Sequence, residues 1–235
     1  MIDHRLRRAA LIAVAVIAAL GILSADPFPS LRRVAAERPG PALGQVRPDM
    51  DENDRWRDKN FPMDAVLDLL GIRPGMTVAE IGAGWGYLSF KLARRVAPDG
   101  LVLAEDIEPK RLGQLKARAA ERGLTNIETI LGTEADPLFP AGKLDLIFMH
   151  AVMQWIADRP TFLRTAGAGL KAGGRLVIIE SETEGDDPEL NLLGPYGDPT
   201  RAGYLEMFRR AGFELVSAEK KPDWKWPVFV LKKPS

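Results

Sequence analysis

The residues with the most chemistry to offer lie in one stretch and its sequel. Residues 77–87 read Thr-Val-Ala-Glu-Ile-Gly-Ala-Gly-Trp-Gly-Tyr, a strand that runs into Gly82, Gly84 and Gly86 and then a helix. Glycine is needed where backbone turns sharply or must lie against a ligand with no Cβ in the way. At the carboxyl end of a parallel strand, such a turn is where nucleotide-like ligands bind. The dinucleotide spacing G-x-G-x-x-G would need glycine at position 87, where Tyr87 stands. Glu80 adds a negative charge just before the loop, which opposes a pyrophosphate and suits a cationic amino-acid moiety. Asp106 lies 20 residues beyond Gly86, at the end of the next expected strand. A carboxylate there accepts both hydroxyls of a ribose. Glu105 is expected to point to the opposite face, which leaves Asp106 as the ribose acid. A bare strand–helix turn without a ligand is the plain alternative, and the two acids at this spacing weigh against it.

A ligand that joins an adenosine to a cationic amino acid is S-adenosylmethionine, whose methionine part carries an ammonium and a sulfonium. Methyl transfer from a sulfonium is an in-line displacement in which alignment and desolvation do most of the work. Acceptors with a protonated oxygen or nitrogen also need a general base. His150 is the only histidine in the body of the chain, with an ordinary value near neutral pH, and is the candidate base. A hydrogen-bonded histidine at a strand end is the competing reading. Trp85, Tyr87 and Trp155 are candidate pocket walls, with ordinary packing as the alternative.

Positioning these residues requires alternating strands and helices. Strands are expected at 77–81, 101–105, 127–131, 144–149 and 175–180, with helices at 63–70, 87–96, 110–122 and 161–170, the last stopped by Gly173 and Gly174. Parallel strands joined by crossover helices make an α/β, doubly wound sheet. After a helix at 202–211, segments 213–219 and 225–231 have no helix between them and read as an antiparallel hairpin. Residues 180–189, ESETEGDDPE, read as a solvated acidic loop at the active edge. Trp224 and Trp226, among Lys220, Lys221 and Lys225, are assigned to the hairpin, with a membrane-surface contact as the alternative.

Taken together, the motifs VAEIGAGWGYLSFKLA, LVLAEDIEP, NIETILGTEADPLFP, KLDLIFMHAVMQWI and LKAGGRLVIIE resemble the class I S-adenosylmethionine-dependent methyltransferases, over residues 54–233. The resemblance is strongest to small bacterial members with an export-like N-terminus. It implies a mostly parallel seven-stranded sheet with a C-terminal antiparallel hairpin, a Rossmann-like fold. It further implies that Glu80, Gly82, Gly84 and Gly86 line the methionine end of the cofactor, that Asp106 holds the ribose, and that Ile107 lies beside the adenine. Gly132, Thr133 and Glu134 match the adenine-contacting turn, with Thr133 where the family often has an acid, so Thr133 and Glu134 share that assignment. His150 falls where family members face the sulfonium and acceptor. An Asn/Asp-Pro-Pro-aromatic motif is absent after the fourth strand, which disfavours amine methylation of nucleobases.

The 235 residues suffice for one sizeable core. Thirty-two basic and 32 acidic side chains cancel, so no nucleic-acid partner held by bulk charge is expected. With no cysteine and two histidines, disulfide frameworks, thiolate metal sites and multi-histidine metal centres are excluded, and no metal is expected. Arg5, Arg7 and Arg8 precede an uncharged run over residues 9–23, the layout of a signal peptide or signal-anchor over residues 1–25. Both alternatives stay open, as does membrane association through residues 9–23. Residues 26–53 read as a proline-rich linker, and 54–235 as the methyltransferase-like domain. The positive-inside rule then places the domain in the periplasm or anchored at the inner membrane, away from the usual supply of S-adenosylmethionine. The expected function is methyl transfer from S-adenosylmethionine to a small-molecule or lipid acceptor. The alternative is a non-catalytic binding protein on the same scaffold.

Overall fold

A computed structural model of the chain describes residues 50–190, 197–222 and 224–234; the expected signal and most of the expected linker lie outside them. Its elements are α1 (Met50–Asn60), α2 (Met63–Leu69), β1 (Thr77–Ile81), α3 (Tyr87–Val96), β2 (Leu101–Asp106), α4 (Pro109–Glu121), β3 (Ile127–Leu131) and β4 (Leu144–His150). A short 3-10 turn, Met153–Trp155, is followed by α5 (Arg159–Ala168), β5 (Leu170–Ile179), α6 (Arg201–Arg210), β6 (Glu214–Glu219) and β7 (Val228–Lys232). Among the described residues, no helix is long and apolar enough to cross a membrane.

The seven strands form one sheet in the order β3-β2-β1-β4-β5-β7-β6. β1 pairs in parallel with β2 and β4, whereas β7 pairs antiparallel with both β5 and β6. The winding reverses between β1 and β4, so their carboxyl ends open the crevice in which doubly wound sheets bind ligands. Ile147 and Met149 of β4 join α5 and α6 in one buried cluster, while Leu146 and Phe148 join α2 and α3 in another. Burial on both faces explains the almost unbroken apolar run of β4.

Local chemistry starts the helices where the site needs them. α4 begins at Glu108, whose side chain accepts from Lys110 N–H, with Pro109 in the first turn. α6 begins at Thr200, whose hydroxyl accepts from Gly203 N–H at 3.0 Å.

Two expectations need correction. Gly173 and Gly174 do not separate a helix from a strand: α5 ends at Ala168, and both glycines lie inside β5, which starts at Leu170. Gly173 has φ +70°, a Cβ on Gly174 would come within 3.1 Å of the Leu144 carbonyl, and the β4–β5 register shifts between Leu144 and Leu146. The glycines therefore serve a bulge. β7 starts at Val228 rather than at residue 225, because Pro227 has no N–H for the ladder and Trp224 turns into the core.

Candidate functional site

The three glycines of the loop after β1 all have positive φ, +71°, +55° and +94° at Gly82, Gly84 and Gly86, yet each meets a different surrounding. A Cβ on Gly82 would strike Val152 at 2.4 Å, and one on Gly86 would strike Phe90 at 2.5 Å. A Cβ on Gly84 would meet nothing within 4 Å. Gly82 and Gly86 thus close the loop against the protein, and Gly84 presents bare backbone to open space. That is the arrangement a ligand lying on the loop requires.

Both acids at the end of β2 reach this loop. Gly84 N–H donates to Asp106 Oδ2 at 2.9 Å, and Glu108 N–H donates to Asp106 Oδ1 at 2.9 Å. Gly82 N–H donates to Glu105 Oε2 at 3.3 Å. Glu105 thus reaches the loop as well as Asp106, because the loop crosses the end of the strand and meets both side chains. A Cβ on Gly132 would lie 2.0 Å from Glu105 Oε1, so that glycine makes room for the carboxyl. Arg111 stands 3.8 Å from Asp106 and over the Trp85 ring, with its Nε buried and unpartnered. Glu80 turns inward, its Oε2 accepting from Ser89 Oγ of α3 at 2.5 Å.

On the far side of Asp106, apolar side chains are left uncovered. Ile107, Leu131 and Leu138 are each about half exposed. Thr133 spends its hydroxyl on its own turn, accepting from Asp136 N–H at 2.9 Å, and Glu134 is exposed beside it. Leu138 has φ +56°, an unfavourable value for a side chain with a Cβ, and its N–H donates to Asp136 Oδ1.

Sequence reasoning missed α1 and what it carries. Its segment, MDENDRWRDKN, has no apolar period to announce a helix. Ion pairs and hydrogen bonds dock it instead: Tyr87 OH donates to Asp58 at 2.7 Å, Lys91 pairs with Asp58 at 2.9 Å, and Arg118 joins Asp54 at 2.8 Å to the Trp85 carbonyl at 2.7 Å. Docking places the Arg57 guanidinium 5.3 Å from the centre of the Tyr87 ring, where its charge acts on both Glu80 and His150. Among the described residues, Arg57 pairs with no carboxylate.

His150 ends β4 with its ring 4.9 Å from Phe61 and 5.7 Å from Trp226. Burial, aided by the Arg57 charge, pushes it down to about 4. The expectation of titration near neutral pH is thereby corrected; the imidazole is neutral at pH 7. Of the candidate walls, Tyr87 is buried in the α1 contact and Trp155 is more than half exposed.

The acidic segment after β5 is not uniformly solvated, which corrects that expectation too. Glu180 is buried, and its Oε1 accepts from Val152 N–H at 2.5 Å and Met153 N–H at 2.8 Å. It fixes the turn whose Val152 fills the space beside Gly82. Glu182 pairs with Arg201 at 3.0 Å. Among the described residues, no cluster of three metal-ligating side chains occurs.

Three buried carboxyls make stability depend on pH. Burial pushes Glu80 and Glu105 up to about 8 and Glu180 up to about 7. Each folded carboxyl keeps a proton that the unfolded chain has released above its ordinary value of 4.5, so each contribution to stability declines as pH rises toward the raised value. His150 acts oppositely and only in acid, since the unfolded imidazole takes up its proton below its ordinary value of 6.5. Of these four groups, the carboxyls dominate above that pH. Thermal melts are therefore expected to give a lower Tm at about pH 8 than at about pH 6.5, with a smaller drop in Glu105→Gln. A Tm that rises over this interval would contradict the assignment.

Comparison with known proteins agrees with this geometry. A family described as "Methyltransferase domain" matches residues 72–194, a little over half of the chain. The nocamycin O-methyltransferase of Saccharothrix syringae is 36% identical over 111 residues, 47% of this chain and 40% of that protein. A ubiquinone/menaquinone biosynthesis C-methyltransferase of Vibrio vulnificus is 29% identical over 131 residues, 55% of this chain and 50% of that protein. The alignments thus span half or less of these curated relatives. Among solved structures, a SAM-dependent methyltransferase from Aquifex aeolicus shares the fold, with a TM-score of 0.63 at 23% identity over 75% of this chain and 90% of that one. With the domain match, the sheet order and the glycine loop in agreement, the chain belongs to the class I S-adenosylmethionine-dependent methyltransferase family.

Proposed function

We propose that the protein transfers the methyl group of S-adenosylmethionine to a small-molecule acceptor, on oxygen or carbon. The observation that carries this reading is the loop itself, in which Gly84 offers open backbone beside the Asp106 carboxylate. Relatives named for O- and C-methylation of small molecules support it.

The side chains present fit the adenosine half of the cofactor. Asp106, already held by two backbone N–H groups, has lone pairs left to accept the ribose hydroxyls. Ile107 and Leu131 supply uncovered apolar surface for the adenine, next to the turn of Gly132, Thr133 and Glu134. Because the Thr133 hydroxyl is spent on its own turn, Glu134 and backbone groups are the polar groups left there. Glu80 backs the loop from within through Ser89. When bound, S-adenosylmethionine supplies a methyl group activated by its sulfonium. The chain's contribution is to orient that group toward the end of β4 and to keep water away.

Methyl transfer is tested with the full chain, labelled S-adenosylmethionine and a panel of small hydroxylated and carbon-nucleophile acceptors. Label in an organic-extractable product, with stoichiometric S-adenosylhomocysteine, is the expected outcome. Tight cofactor binding without transfer to any acceptor would favour the non-catalytic binding protein instead.

A further inference from the structure

At the end of β4 lies an aromatic cluster that the reading above leaves unused. Phe61 packs edge-on against His150, Trp226 packs on Phe61 at 4.9 Å, and Trp56 meets Phe61 at 6.2 Å. A small apolar pocket lined by Phe61, Met63, Val66, Ile179 and Trp226 adjoins these rings. Within this cluster, His150 Nε2 is out of solvent and has no hydrogen-bond partner. Leaving such an atom unsatisfied is costly, so it marks a place where a polar group is missing.

The charges that reach these rings are cationic. Arg57 of α1 acts on His150, and Lys225 lies within 6 Å of the Trp56, Phe61 and Trp226 ring centres, at 5.6, 5.9 and 5.5 Å. From β5, the residue in register with His150 is apolar Ile179. The neighbouring acids are engaged elsewhere: Asp58 with Tyr87 and Lys91, Glu80 with Ser89, and Glu180 with the Val152 and Met153 N–H groups. A protonated amine would meet two cations here and no unengaged member of that set. A flat anion meets aromatic faces, two cations and a neutral imidazole.

We infer that the acceptor is a planar ring bearing an acidic hydroxyl, a phenol or enol, bound as its oxyanion between Phe61 and Trp226 with its oxygen on His150 Nε2. This inference rests on the methyltransferase reading. The hydroxyl proton leaves to solvent when the ring ionises. An oxygen lone pair then forms the O–CH3 bond, the S–CH3 bond breaks with its electron pair passing to sulfur, and oxyanion and sulfonium become neutral ether and thioether. No proton moves in the transfer itself. His150, neutral at pH 7, donates Nε2–H to the oxygen and steadies its position. Half-buried Trp226, on the connector before β7, is the ring that moves to admit the acceptor.

The test uses the full chain saturated with S-adenosylhomocysteine and titrated with 4-nitrophenol, whose phenolate is read by its visible absorbance across a pH series. The bound dye is expected to ionise at least about one pH unit below the free dye, a tenfold preference for the phenolate. His150→Phe should remove that preference while S-adenosylhomocysteine binds as before. Trp226→Ala, a change away from the sheet, should weaken dye binding in the same assay. Equal or better binding of neutral phenol, absence of saturable dye binding, or tighter binding of benzylamine at the same site would each overturn the inference. Failure of S-adenosylhomocysteine itself to bind would instead overturn the methyltransferase reading.

Discussion

Replacing Asp106 with asparagine is expected to weaken binding of S-adenosylmethionine about a hundredfold, close to 3 kcal/mol. The carboxylate is positioned before any ligand arrives, by Gly84 N–H and Glu108 N–H at 2.9 Å each. Two ribose hydroxyls on a charged acceptor contribute roughly 1.5–3 kcal/mol apiece, and an amide retains part of one such contact. The substitution also loosens the loop and the start of α4, so a Tm loss of a few degrees should accompany it. Calorimetric titration paired with a melt separates the two effects. Glu105→Gln is the informative control, because that carboxyl touches the same loop at Gly82 and is held toward its neutral form by burial. If Glu105→Gln abolished binding and Asp106→Asn did not, the ribose acid would be Glu105.

Adding one methyl group at two glycines should separate folding from binding. Gly86→Ala places a Cβ 2.5 Å from the buried Phe90 ring and 3.0 Å from Leu115, in left-handed backbone. The left-handed penalty is about 1–2 kcal/mol and overpacking adds about 1–3 kcal/mol. The sum is a large share of a typical stability, and a Tm loss on the order of 10 °C is expected. Gly84→Ala bears only the backbone penalty, since its Cβ meets nothing within 4 Å. Its Tm should fall by no more than a few degrees, while cofactor affinity falls at least about a hundredfold because the methyl occupies the ligand's place. Equal cofactor affinity in Gly84→Ala and the unsubstituted protein would remove the loop from the binding site.

What could be read from sequence, and what could not, follows from the range of the forces involved. The glycine loop was legible because positive φ and close backbone approach demand glycine whatever the rest of the chain does. The hairpin was legible because 213–231 leaves no room for a crossover helix. α1 was not, because its order comes from partners 29 and 64 residues away, Tyr87 to Asp58 and Arg118 to Asp54. Arg57 was missed with it. In sequence Glu180 reads as one acid of a solvated run, whereas the turn after β4 buries it against two backbone N–H groups. His150 was found by its type and position, but its low value comes from the ring packing and the Arg57 charge supplied by α1.

Calorimetric titration of the full chain with S-adenosylmethionine and S-adenosylhomocysteine at neutral pH tests the cofactor site most directly. One site per chain with micromolar affinity is the predicted result. No heat of binding from either compound, with a protein that melts cooperatively, would rule out a cofactor site at the glycine loop.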